Sequence, residues 1–474
     1  MSTELNRKLT RRQMLKLAAA GAAGLAVAAC APQVTAIPQV VERTVQVEVT
    51  KEVEITKEVQ VTQQVTIVET PTIPPKGTVT LEFWQPFGDL NKNAVEQLVK
   101  QWNGTNTDIQ IKLEYEPSVT SAGTNPKFLA AALSGNPPDL IIHDGSSFST
   151  STVLNAFTVL DDLISMTKLD PTVYYPWAWQ KCQWAGHTYG LPLNTDARAL
   201  YSNTKMLQDA GIDKPPATID ELDAMVDKLT KKKGDRFDVM GFIPWAGNWF
   251  LIGWGWDWGV NVYDDTAHKI HLNAPEMVAA LEWEVTYAKK YGINQMESFV
   301  QGFGGGAQDP FVLGLEALTI DGDWAIANIN QYKPDLDYQI TPPPYPSGKS
   351  AETWSGGFVV GIPTGGKHIE ESWKFLSWFT AVDANSTFAK IGGSLPTNMA
   401  AAQKVYANDP RHKIFLDLLP VSHIEPVIPE WSLAWDSHLA AEQDALYGRK
   451  PAQQALDEAN QKVQDAIDAR LSGA

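Results

Sequence analysis

Polar and apolar positions alternate from Thr78 to Trp84, a period of two that predicts a half-buried strand. Asn93 to Asn103 carries the three-to-four spacing of a helix, and Ile109 to Tyr115 alternates again as a second strand. Phe128, Leu129, Ala132 and Leu133 form one helical stripe, which stops at Ser134-Gly135-Asn136-Pro137-Pro138. Asp139-Leu140-Ile141-Ile142 then gives the short apolar run of a strand covered on both faces. Strand, helix, strand, helix, strand predicts a mostly parallel sheet with helices on both sides. Such sheets bind ligands at the carboxyl ends of their strands. Trp84 to Asp89 and His143 to Ser147 are two such ends.

The segment ahead of this pattern is different. Residues 31–76 contain no aromatic side chain, so they cannot build an ordinary core. Val47/Val49, Val53/Ile55, Val59/Val61 and Val65/Ile67 repeat every six residues, and Thr50-Lys51-Glu52-Val53 recurs as Thr56-Lys57-Glu58-Val59. Spacing of two within each pair favours extended chain, closed by Pro71, Pro74 and Pro75. Residues 30–76 therefore read as an extended stalk, spanning at most roughly 150 Å. A strand-rich oligomerisation segment is the alternative.

Residues 1–29 read as a signal peptide: Arg7, Lys8, Arg11, Arg12 and Lys16 precede an apolar run from Leu17 to Ala29. That run is too short to span a membrane as a helix. Thr10 to Lys16 resembles a twin-arginine export motif, with Thr for Ser and Met14 for Phe. Val27-Ala28-Ala29-Cys30 resembles a bacterial lipobox, which implies a lipidated Cys30 anchored on the outer face of the cell membrane. The only other cysteine, Cys182, is then a buried free thiol.

Composition narrows the partners. The 474 residues carry a formal net charge of −17, so no basic excess exists to neutralise a nucleic acid. No nucleophile elbow and no phosphate-binding P-loop is present. Gly302-Phe303-Gly304-Gly305-Gly306-Ala307 imitates a dinucleotide loop, but no strand precedes it and Asp309-Pro310 blocks an immediate helix. His268 and His271 lack a third ligand nearby, so no metal or other cofactor is expected.

From residue 134 the chain resembles the family 1 extracellular solute-binding proteins, the substrate receptors of ABC importers. Ser134-Gly135-Asn136-Pro137-Pro138-Asp139-Leu140-Ile141 is similar to one signature of that family. Tyr189 to Asp196, followed by Ala199 to Asn203, resembles its first crossover between lobes. Pro216 to Leu222 resembles a helix start, with Ile219 in place of Trp, and Ala317 to Trp324 the "A-M-x-x-x-G-x-W" segment. Gly356 to Pro363 with Trp373 to Leu376, Gly392 to Asn398, and Tyr447 to Lys450 follow in the family's order. The resemblance implies an α/β, two-lobe, periplasmic-binding-protein-like fold with hinge crossovers and a ligand cleft. Carried over, lobe 1 spans 77–194 and 361–415, and lobe 2 spans 195–360 and 416–474. It further implies a non-enzymatic receptor without a cofactor, partnered by a sugar or oligosaccharide and by ABC permease subunits.

A pyranose has apolar C–H faces and a hydroxyl rim, so its site needs flat aromatic surfaces beside carboxylates or amides. Trp245, Trp249, Trp254, Trp256 and Trp258 lie among Gly247, Gly253, Gly255 and Gly259. Glycines leave backbone exposed, which favours a cleft for Trp249, Trp254 and Trp256 over a packed core. By resemblance, Trp324 holds the place of the family's stacking aromatic, Trp435 that of another aromatic, and Asp196 that of an acidic residue at the first crossover. Asp89, His143, Asp144 and Trp354 are further candidates from lobe edges. Asp321 and Asp323 are candidates to accept hydroxyls, and could equally form a glycosidase pair. An anchored glycoside hydrolase and a surface protein that grips polysaccharide are therefore the alternative functions.

Overall fold

A computed structural model describes residues 77–88, 90–117 and 125–473, together with the backbone of two earlier strands, β1 (Arg43–Val47) and β2 (Gln63–Ile67). β1 and β2 pair antiparallel, with Val45 opposite Val65, and belong to a unit of residues 1–73. The signal residues and Cys30 lie outside the described residues. No described helix is long and apolar enough to cross a membrane.

The second unit, residues 74–474, begins with the predicted strand–helix alternation. β3 (Val79–Gln85), α1 (Leu90–Thr105), β4 (Ile109–Tyr115), α2 (Pro126–Leu133), β5 (Leu140–Asp144) and α3 (Gly145–Val153) follow in order, and β6 (Gly190–Thr195) leads out of this lobe. The chain then forms β7 (Arg198–Asn203), α4 (Phe250–Trp258), α5 (Pro275–Tyr287), β8 (Leu318–Gly322), α6 (Trp324–Tyr332) and β9 (Tyr338–Thr341). β10 (Thr353–Trp354) and β11 (Phe358–Gly361) bring it back to α7 (Ile369–Phe379), α8 (Val382–Gly392) and β12 (Leu395–Pro396). β13 (Ser422–His423), α9 (Trp431–Leu446) and α10 (Ala452–Ser472) complete it.

Two sheets result. The first has order β12-β6-β11-β5-β3-β4, with β3 parallel to β4 and β5, and with β11 antiparallel to both β5 and β6. The returning strands β11 and β12 thus run against a parallel set. Burial of Leu140, Ile141 and Ile142 follows because helices cover both faces. On one face Phe83 meets Phe375 and Phe379 edge-on at 5.4 and 5.6 Å; on the other, Trp84, Phe148, Phe157 and Cys182 pack together. The second sheet, β8-β7-β9, is antiparallel, and Arg198 at the start of β7 faces Gly322 at the end of β8. Thr218 starts the helix after Pro216 through a capping box with Glu221. The helices after α8 reach across: Tyr406, Phe415 and Leu418 share a core with Tyr201 and Tyr338 of the second sheet.

Lobe 2 holds an acid pair in its interior. Glu284 of α5 and Glu442 of α9 are both buried and close enough to perturb each other, so two charges there are disfavoured. Burial, then the neighbouring Glu442, pushes Glu284 well up, and burial pushes Glu442 up to about 8. Raised carboxyl values mean the unfolded chain binds fewer protons above roughly pH 4.5, so the pair's contribution to stability falls as pH rises from there through about 8. Glu284→Gln should therefore raise the unfolding midpoint more at pH 8 than at pH 5. Calorimetric scans at both pH values check it, and an equal shift at both would show that ionisation of the pair does not set its contribution.

Candidate functional site

The site forms where the two sheets meet at their strand ends. Asp196 and Ala197 carry the chain from β6 to β7, and residues 355–357 carry it from β10 to β11. The second passage is tight because Gly145 N donates to Gly357 O at 2.9 Å, and a Cβ on Gly357, at φ +115°, would stand 2.1 Å from Asn194 O. Asp196 Oδ1 accepts the Gly356 amide at 2.6 Å and the Arg198 guanidinium. With one residue between them, Asp196 and Arg198 hold each other across the crossover.

Arg198 sits at the centre of the site. Its guanidinium lies 3.9 Å from the centroid of the Trp354 ring and 5.3 Å from that of Trp324. Nε and Nη2 donate to Asn248 Oδ1 at 3.2 and 3.1 Å, and Nη1 donates to Trp354 O at 3.0 Å. Trp354 Nε1 donates to Glu425 Oε1 at 2.9 Å, and Glu425 Oε2 takes Lys181 Nζ at 2.5 Å. Lys181 also donates to Ser355 O at 2.9 Å, so this one buried lysine fastens both Glu425 and the return crossover. Beyond Trp354 and Glu425 opens a groove of about 780 Å³. Gln183, Trp184, Trp256, Asn261, Glu352 and His423 line it; Arg198 and Trp324 do not.

The expected residues separate into two groups. Trp324 begins α6 and is half-buried, its ring folded over Gly322, where a Cβ would come within 2.2 Å of it. Trp354 and Trp435 pack 5.5 Å apart with Phe250 beside them, and Trp256 stacks on His423 at 5.1 Å, its rim reaching the groove. Trp324, Trp354 and Asp196 contact Arg198, whereas Trp256 and Trp435 contact Trp354 and, like it, are buried in the core that holds Trp249 and Trp254, a correction to the open cleft expected for them.

Trp249 and Trp254 are corrections: neither has exposed surface, and they meet edge-on at 5.9 Å inside lobe 2. The interleaved glycines make room for the rings instead of uncovering them. A Cβ on Gly253 would lie 2.6 Å from the Trp249 ring, and one on Gly255 would lie 2.4 Å from Met277. His143 is also interior, ringed by Phe128, Phe148 and Phe157, with Nε2 bonded to Ser151 Oγ at 3.1 Å. Burial pushes it down to about 4, which leaves it neutral.

Asp144 caps α3, accepting the Ser146 amide and hydroxyl at 2.8 and 2.6 Å, and burial pushes its carboxyl up. Asp323 is fully buried and spends both oxygens on backbone, taking Ala197 N at 3.3 Å and Leu395 N at 2.9 Å. Burial, then Asp196, pushes it well up. Asp321 accepts Gly322 N at 2.8 Å, and burial pushes it up to about 7. With Asp323 bonded to backbone through both oxygens, these two do not present a free acid and base to one space. Asp89 lies outside the described residues.

Sequence reasoning missed Arg198, Asn248 and the Lys181–Glu425 pair. Arg198 left a signal, a lone charge opening the otherwise apolar strand Arg198-Ala-Leu-Tyr. The ion pair joins positions 244 apart and left none.

The family model for the bacterial extracellular solute-binding protein matches residues 88–386, more than half of the chain. The chain belongs to this family. Among solved structures, CpMnBP1 with mannobiose bound is 30% identical at a TM-score of 0.74, over 82% of this solute-binding protein and 100% of that chain. The maltotriose-binding protein of Pyrococcus abyssi is 22% identical over 407 residues, 84% of this chain and 83% of its own. A maltooligosaccharide ABC transporter solute-binding lipoprotein of Streptococcus pneumoniae is 24% identical over 291 residues, 60% of this chain and 66% of its own. These relatives are binding proteins of two lobes, and the two sheets here have that architecture.

Proposed function

We propose that this solute-binding protein captures a sugar or oligosaccharide between lobes spanning 77–194 with 361–415 and 195–360 with 416–474. It passes the ligand to the permease subunits of an ABC importer and performs no chemistry on it. The observation that carries the reading is the convergence of Trp324 and Trp354 with Asp196 and Arg198 at the strand ends, where flat faces adjoin polar groups. Mannobiose in CpMnBP1 supports the ligand class. Cys30, at the end of the apolar leader, anchors the chain by lipid outside the cytoplasm, and residues 30–76 set its distance from the membrane.

Calorimetric titration of the mature chain with mannobiose, mannotriose and maltotriose tests the reading. One ligand bound per chain, recovered uncleaved, is the expected result. Release of shorter sugars would make the protein a hydrolase, and no heat with any of the three would overturn the sugar assignment. Radiolabelled palmitate should enter the full-length protein and be lost in Cys30→Ser.

A further inference from the structure

We propose that Arg198 determines which sugar the site accepts, by donating one fixed N–H to a ligand oxygen beside Trp324. The proposal rests on the sugar reading above.

A guanidinium carries five N–H donors in one plane. Four are committed here. Nε gives one to Asn248, Nη1 gives two, to Asp196 and Trp354 O, and Nη2 gives one to Asn248. Among the described residues the fifth, on Nη2, has no partner, although the side chain is only 6% exposed. A donor left unmade on so enclosed a side chain is costly, and an arriving acceptor would relieve that cost.

Its direction is fixed in advance. Trp354 lies against the plane at 3.9 Å, and Asn248, Asp196 and Trp354 O hold its edges. Little rotamer freedom remains to be lost when the ligand binds. Trp324, a half-buried indole 5.3 Å from the guanidinium, supplies the apolar surface on which a pyranose would rest. A sugar whose hydroxyl or ring oxygen lands at that N–H is favoured, and an epimer that points C–H there leaves the donor buried and unmade. Asp196 and Asn248 are positioning residues in this scheme, since they orient the guanidinium.

The competing account is a hinge ion pair between Asp196 and Arg198 that never meets ligand. Arg198→Lys separates the two. Lysine keeps the charge beside Asp196 but has neither the planar fork nor the stacking face. Affinity is measured by calorimetry for whichever of mannobiose and maltotriose the wild type binds, and for the set of its mono-deoxy analogues, with thermal unfolding followed on the same samples.

Arg198→Lys should weaken binding of the parent sugar ~10–100-fold while unfolding cooperatively. One deoxy analogue should lose about tenfold or more against wild type and almost nothing against the variant, the signature of a direct contact in a double-mutant cycle. An affinity within twofold of wild type, or the same penalty for every analogue in both proteins, overturns the proposal. If Arg198→Lys does not fold, Asn248→Ala serves in its place, because it frees two of the four bonds and should flatten the same discrimination. Unchanged discrimination in that variant also overturns the proposal. A wild type that binds neither sugar fails the sugar reading itself.

Discussion

Trp254→Ala is expected to cost about 3–5 kcal/mol of stability, the range for removing a large aromatic from a packed core. Trp254 has no exposed surface, donates Nε1 to Pro244 O at 2.9 Å, and meets Trp283 at 4.8 Å as well as Trp249. Alanine would leave a cavity and an unpaired carbonyl. Urea unfolding followed by far-UV circular dichroism measures the loss. The companion Trp254→Phe should bind sugar with wild-type affinity, because no face of this indole reaches the site. A sugar affinity that drops in Trp254→Phe while the unfolding midpoint holds would return the residue to the cleft.

Lys181→Met should be comparably damaging for an electrostatic reason. Lys181 and Glu425 are each 4% exposed, so methionine would strand a carboxylate away from water, at about 3–5 kcal/mol. Lys181→Met with Glu425→Gln should recover most of that loss. The amide is neutral, and its carbonyl can still accept Trp354 Nε1. Thermal midpoints of the two singles and the double give the coupling energy; a double variant no better than Lys181→Met would show that packing, not charge, decides this contact.

Much of lobe 1 was legible because its elements are local. β3 and β4 each show their period within seven residues, β5 is one short apolar run, and the stop at 134–138 ends α2 as its residues dictate. The antiparallel return of β11 and β12 was not legible, since nothing within residues 358–361 or 395–396 encodes which neighbour lies beside them. The tryptophans mark the sharper limit. Indole is the best residue both for filling a core and for lying under a sugar, so composition could not divide Trp249 and Trp254 from Trp324. What divides them is burial, complete for Trp249 and Trp254 and partial for Trp324, a property of the folded chain. Asp321 and Asp323 likewise look alike in sequence, yet one caps its neighbour's amide and the other bonds two distant amides.

That last pair of bonds ties the two sheets together. Asp323 stands at the end of the second sheet and takes one amide from the first crossover and one from β12, the edge strand of the first sheet. A single carboxylate thus acts as a pin through two layers. Removing that pin would leave two amides without an acceptor, one in the crossover and one in the edge strand.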